Sequence, residues 1–425
     1  MRKIAILGCR LYQSFARLGM RLSRCPDPKR IVGPHSLEKK LPTFLAQMGF
    51  KSPLLVIDPY LRGHGSDSLF LQEAEKAGLE VAVFNQIASN PTIDSIERGV
   101  ALYQESGCDC LIALGGGSTI DEAKAIAARI AKPNRPLWKM RGRGKVGPHV
   151  PFLVAVPTTA GTGSEATPVA AVVNPKTREK FLIEDKSLFP PCIVLDDSLL
   201  ASLPSNVIAW AGLSALSRAV EGYLNKGDDK RTAELALKSI QLIRDNLYAF
   251  YRDPANEIAR GNMQEAACMA GLVSARAHAG YAHALSNALS GAYNTPHGLA
   301  DAVLLPRLLE EYGKKAEKKL AKINERLFLS PRGASIHEKA AAFIAYLDAA
   351  RQKMLIPSDL RGIAKAEDIP VLAHHAGREA NPLCPVPREM GEKELAAFLK
   401  KFLPDGEKVS SDSMKSAQES AKITA

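Results

Sequence analysis

Two glycine- and hydroxyl-rich segments carry the clearest chemistry in this chain of 425 residues. In the first, the apolar run Leu111–Leu114 leads into Gly115-Gly116-Gly117 and then Ser118-Thr119-Ile120-Asp121, a strand turning through glycines into a helix. Glycines let a backbone approach a pyrophosphate closely, and the N–H groups at a helix start meet its charge. In the second, Pro157-Thr158-Thr159-Ala160-Gly161-Thr162-Gly163-Ser164-Glu165 follows the apolar run Phe152–Val156. Hydroxyls just beyond the carboxyl end of a strand suit phosphate or ribose. A third signal is Asp58, which closes the run Pro53–Asp58. A carboxylate there can accept hydrogen bonds from an adenosine ribose and repel a 2′-phosphate, which favours NAD over NADP. Singly, the glycine triplet also reads as a tight turn and Asp58 as a helix cap. Together they assign a dinucleotide site to Asp58, Gly115, Gly116, Gly117, Ser118, Asp121, Thr158, Thr159 and Thr162. The pattern is neither GxGxxG nor a Walker loop.

Holding these groups at strand ends requires a sheet. Pro53–Asp58, Val81–Phe84, Cys110–Leu114, Phe152–Val156 and Cys192–Asp196 read as buried strands, with helical periodicity in Ser68–Ala77, Thr92–Ser106 and Asp121–Ala131. Such alternation predicts βαβ units and a mainly parallel sheet. Val169–Val173 and Lys180–Ile183, joined by Asn174-Pro175-Lys176-Thr177, predict a small antiparallel hairpin. After Pro204 the period becomes 3.6, as in Thr232–Ala249, Ala255–Ser274 and Ile336–Lys353. The expected organisation is a basic extension over 1–30, an α/β dinucleotide-binding domain over 31–203, an all-helical domain over 204–404 and a disordered polar tail over 405–425.

Composition narrows the function classes. The net charge of +11 is local: residues 1–30 hold eight Lys or Arg against Asp27, and residues 132–145 hold six against no acid. Those segments exceed the whole net charge, so the body is not a basic surface and nucleic acid is not an expected partner. Residues 132–145 read as a solvated insertion. Seven cysteines are odd in number and too few for a disulfide framework, and Cys108 and Cys110 read as core; a reducing, cytoplasmic location fits. No run approaches the ~20 apolar residues of a membrane span. Ile4, Leu7, Leu11, Phe15, Leu18 and Leu22 fall at helical spacing among arginines, which predicts a segment that docks on the fold or touches a membrane surface.

The motifs together resemble the iron-containing (group III) alcohol dehydrogenase family. Gly115–Asp121 matches its GGGSxxD, Pro157–Glu165 its PTTxGTGSE, Asn90-Pro91-Thr92 its NPT, and Thr295-Pro296-His297-Gly298 with Leu304-Leu305-Pro306 its PHG…LLP block, in order over roughly residues 30–400. The resemblance implies an α/β dinucleotide-binding domain followed by an all-helical domain, NAD as cofactor, an alcohol and an aldehyde or ketone as substrates, and a homo-oligomer. It also places Lys180 near the cofactor, although a solvated hairpin charge is the alternative.

The family holds a divalent metal, usually iron, with one Asp and three His. Here the matching residues are Ser214, Arg218, His283 and His297, so only the two histidines remain as ligands for iron or zinc. Positions 214 and 218 share a helix face, which aims a permanent guanidinium at the cation's place. Asp301, four after His297, and His278, five before His283, are further ligand candidates but read first as ordinary helix and loop residues. The reading implied is an NAD-dependent alcohol dehydrogenase with an altered metal site, in which Arg218 replaces the metal as fixed electrophile and His283 or His297 handles the proton. Its rivals are a metal-free NAD-binding protein without dehydrogenase activity, and an enzyme that uses Arg218 to bind an anionic substrate.

Overall fold

The structure, a computed structural model, describes residues 27–63, 65–226 and 229–403, together with residues 8, 9 and 13. Apart from those three positions, the amphipathic segment expected over 1–24 and the tail over 405–425 lie outside the described residues. The chain forms two compact units: Cys25–Pro204 with Pro254–Cys268, and Ser205–Asp253 with the residues from Met269 onward.

The first unit is built on a six-stranded sheet. Its strands are β1 (Lys29–Val32), β2 (Pro53–Ile57), β3 (Ala82–Phe84), β4 (Cys110–Gly115), β6 (Phe152–Pro157) and β9 (Cys192–Leu195), in the order β1-β9-β6-β4-β2-β3 with every pairing parallel. All residues of β2 and β4 are buried, as expected for a sheet covered on both faces. The edge strand β1 begins inside the segment read as an N-terminal extension. Helices α1 (Ser36–Lys39), α2 (Leu41–Gln47), α3 (Ser66–Lys76), α4 (Ile93–Glu105) and α5 (Gly117–Ala131) follow the early strands. From β2 the chain passes outward to β3, then returns to lay β4, β6 and β9 on the other side. The order therefore reverses between β2 and β4, the kind of place where open α/β sheets bind ligands.

A second, three-stranded sheet pairs β7 (Val169–Asn174) antiparallel with β8 (Glu179–Glu184), the expected hairpin. A short strand β5 (Gly142–Arg143) adds to it, parallel to β8. This corrects the reading of 132–145 as a solvated insertion. Arg141 and Arg143 pair across the sheet with Glu179 and Glu184 at 2.6 and 2.8 Å, so opposite charges recruit part of the basic segment as an edge strand.

The other unit is helical: α6 (Ser205–Leu224), α7 (Lys230–Arg252), the last part of α8 (Glu257–Ala277), α9 (Tyr281–Tyr293), α10 (His297–Tyr312), α11 (Lys314–Leu327), α12 (Ile336–Lys353), α13 (Ile369–Ala380) and α14 (Glu392–Lys400). From Gly212 to Leu224 every residue of α6 is buried, which makes it the central helix, with α7 and α10 packed against it. Among the described residues no helix is long and apolar enough to cross a membrane.

One buried group makes stability depend on pH. Burial pushes the Glu122 carboxyl, on α5, up to about 8 from an ordinary 4.5, against the opposing pull of the Ser95 hydrogen bond and the Arg98 charge. The folded chain therefore keeps a proton that the unfolded chain has released. The stabilisation is full below the unfolded value and is lost as pH rises towards the folded one. Through this group unfolding free energy from denaturant melts is expected to fall between about pH 5 and about pH 8, by up to about 1.4 kcal/mol per unit, and Glu122→Gln should remove its share of the slope, leaving that of Glu221, which burial also raises.

Candidate active site

Asp58, Gly115 and Thr158 sit at the carboxyl ends of the neighbouring strands β2, β4 and β6. Asp58 N–H donates to Leu114 O at 3.1 Å and Thr158 N–H to Gly115 O at 3.0 Å, so the three segments form one continuous rim. The glycine and threonine motifs interlock across it. A Cβ added at Gly117 would lie 2.5 Å from Thr162 Oγ1 and 2.8 Å from its Cγ2, whereas one at Gly116 would have only ordinary contact with Thr159 at 3.6 Å. Gly116 is the N-cap of α5 and supplies no side-chain cap, which leaves the first-turn amides to an anion. A dinucleotide pyrophosphate fits this cradle.

The other predicted cofactor residues divide. Ser118 Oγ donates to Ser89 O at 2.7 Å and Lys180 Nζ to Asn90 Oδ1 at 2.9 Å, so both tie the Ser89–Thr92 segment to its neighbours. Asp121 accepts Ala171 N–H at 3.2 Å; the bond shown for it braces β7. Asp58 accepts Tyr60 N–H at 3.0 Å, and burial raises its pKa against that bond. Sequence reasoning missed Lys124. It is fully buried on α5 and donates to Ser164 O, Thr167 O, Thr167 Oγ1 and Val169 O at 2.5–3.1 Å, clamping the end of the threonine segment. The signal was a lysine on the apolar face of a helix, four residues after Ile120.

The helical unit gathers the second set. Ser214 and Arg218 lie one turn apart on α6, His283 is on α9, and His297 opens α10 with Asp301 a turn further in. Ser214 Oγ donates to Asp301 Oδ2 at 2.7 Å, His297 Nε2 lies 3.3 Å from the same oxygen, and His297 Nε2 is 2.9 Å from His283 Nδ1. Asn287 Nδ2 donates to Glu379 Oε1 at 2.8 Å and lies 3.4 Å from His283 Nε2. Asp301 is thus part of the cluster, which corrects its reading as an ordinary helix residue. Burial works to raise its pKa, but the His297 charge and hydrogen bond, the Arg218 charge and the Ser214 hydroxyl outweigh burial and hold it below the usual carboxylate range. His278 instead lies in the turn before α9, where its carbonyl accepts from Asn225 at 2.9 Å. Glu221, a turn beyond Arg218, was also missed. Its carboxylate accepts the N–H groups of Gly280, Ala282 and His283 at 2.9–3.3 Å and so fixes the start of the helix that carries His283.

One ring nitrogen each of His283 and His297 and an Asp301 oxygen lie within 4.8 Å of one another, and three donors are what a catalytic metal takes from a protein. Convergence alone does not decide the fit; charge does. Asp301 already accepts the Ser214 hydroxyl and faces both His297 and the Arg218 charge, so its negative charge is balanced. Family positions 214 and 218, which would supply two ligands, hold a hydroxyl and a cation. The donor set does not fit a divalent metal.

The profile described as "Iron-containing alcohol dehydrogenase" matches residues 28–197, and that described as "Fe-containing alcohol dehydrogenase family, C-terminal" matches residues 208–403. The chain is 33% identical to 1,3-propanediol dehydrogenase of Klebsiella pneumoniae over 356 residues, covering 83% of this chain and 92% of that protein. It is 30% identical to NAD-dependent methanol dehydrogenase of Bacillus methanolicus over 350 residues, covering 82% and 91%. Among solved structures, 1,3-propanediol oxidoreductase superposes with a TM-score of 0.83 at 32% identity, covering 88% of this chain and 98% of that one.

Proposed function

The chain belongs to the iron-containing alcohol dehydrogenase family, and we propose that Arg218, His283 and His297 act at the substrate oxygen in its NAD-dependent reaction. It is an oxidoreductase that interconverts an alcohol and an aldehyde or ketone by hydride transfer. When bound, NAD supplies the chemistry of accepting or returning the hydride. The amides that open α5 would hold the pyrophosphate, the hydroxyls of Thr158, Thr159 and Thr162 would complete the rim around it, and Asp58 would accept from the adenosine ribose. Arg218 sets a permanent positive charge where the alkoxide develops, which stabilises the transition state more than the neutral alcohol. The imidazoles of His283 and His297, 2.9 Å apart, take the hydroxyl proton on oxidation and return it on reduction.

The observation that carries this reading is the single hydrogen-bonded cluster formed by Ser214, Asp301, His297 and His283, on which the Arg218 charge acts, in a chain whose cofactor motifs are intact. A neutral alcohol/carbonyl pair is the substrate class proposed, in line with the dehydrogenases of diols and methanol that the chain resembles. The location proposed is a reducing cytoplasm, from the small and odd number of cysteines in the sequence. A homo-oligomer is the expected assembly. The test is NADH formation from NAD with a panel of short alcohols and diols, alongside NADH binding by fluorescence. Alcohol-dependent NADH formation is expected; firm NADH binding with no turnover on any alcohol would favour the non-catalytic NAD binder instead.

A further inference from the structure

We propose that Arg218, Asp301 and Ser214 together take the place of the metal ion, so that this dehydrogenase works without a divalent cation and Asp301 is the residue that positions His297. The inference rests on the reading above. The family's aspartate position on α6 is Ser214, while an aspartate appears on α10, fully buried, and accepts the Ser214 hydroxyl at 2.7 Å. The positive charge has moved too, from an ion among the ligands to a guanidinium at position 218 on the same helix face as Ser214. The three residues form one set. Asp301, fully buried, is held by the Ser214 hydroxyl, by His297 and by the Arg218 charge together.

Asp301 has a second task. Its Oδ2 lies 3.3 Å from His297 Nε2, the atom that also meets His283 Nδ1 at 2.9 Å. A fixed carboxylate there orients the imidazole and decides which ring nitrogen carries its proton, as an aspartate does beside the histidine of a serine hydrolase. Asp301 touches neither substrate nor cofactor in this scheme; it acts through His297.

The test begins with metal analysis of the full-length protein, purified from media supplied with iron and with zinc. Less than about one tenth of an ion per chain is expected, with turnover unchanged by EDTA. Near one ion per chain, removed by EDTA together with activity, overturns the proposal while leaving the dehydrogenase reading intact. Loss of that reading would show separately, as bound NADH without alcohol-dependent turnover. The triple substitution Ser214→Asp, Arg218→His and Asp301→Asn restores the family's donor set and is expected to gain about one cobalt ion per chain, seen by its visible absorption. Asp301→Asn alone is expected to lower kcat by about 100-fold with KM changed less than about threefold, a split that general destabilisation would not produce. A melting curve on each variant checks folding. Unchanged kcat in Asp301→Asn overturns the positioning role.

Discussion

Arg218→Ala is expected to lower kcat for alcohol oxidation by about two to three orders of magnitude, the range seen when a preorganised group facing a developing oxyanion is removed. Two effects combine. The positive charge at the substrate oxygen is lost, and Asp301, fully buried, loses one of the charges that hold it, with His297 and Ser214 remaining. KM should move much less than kcat, since a neutral alcohol gains little from the guanidinium before charge develops. Because the site is left with a hole of guanidinium shape, added guanidine should restore part of the lost activity, and Arg218→Lys should retain more than Arg218→Ala. Steady-state rates with and without guanidine decide the matter; wild-type turnover in Arg218→Ala would remove Arg218 from the mechanism.

Gly298→Ala carries the second large effect, and its cause is backbone contact. Gly298 follows His297 in the first turn of α10. A Cβ there would lie 2.1 Å from Trp210 O and 2.6 Å from Trp210 C, main-chain atoms of α6, and 3.2 Å from Ser214 Cβ. No side-chain rotation relieves that clash, so α10 must retreat from α6 by about 1 Å. A shift of that size at reacting groups can cost on the order of 100-fold in rate. It would pull His297 from His283 and Asp301 from Ser214, contacts of 2.9 and 2.7 Å. Stability should fall by about 1–3 kcal/mol, as for an overpacked core. Gly261→Ala is the control. It is also in a helix, an added Cβ there meets nothing within 4 Å, and the substitution should be neutral or slightly stabilising. Kinetics and melts of both variants check the prediction; normal turnover in Gly298→Ala would mean that the α6–α10 contact does not hold the cluster.

Five of the six strands of the parallel sheet, all but β1, the glycine junction after β4 and the run of helices after Pro204 were legible in the sequence by itself, because each is written locally. Apolar runs report burial, a strand–glycine–helix junction reports an open helix start, and a period of 3.6 reports helices. The sequence also determined that residues 214 and 218 share a helix face, since that follows from a four-residue spacing. Tertiary structure alone decided what meets them. Asp301 lies 87 residues from Ser214, Lys124 binds carbonyls 40–45 residues away, and Glu221 holds amides 59–62 residues further on. None of these partners is encoded in a spacing, because a hydrogen bond or a charge pair depends on distance in space. The same holds for Gly298, a letter in a motif until α6 packs against α10 and leaves no room for a methyl group. Likewise Arg141 and Arg143 look like part of a solvated basic run until the fold sets Glu179 and Glu184 opposite them, where pairing of opposite charges turns the run into a strand.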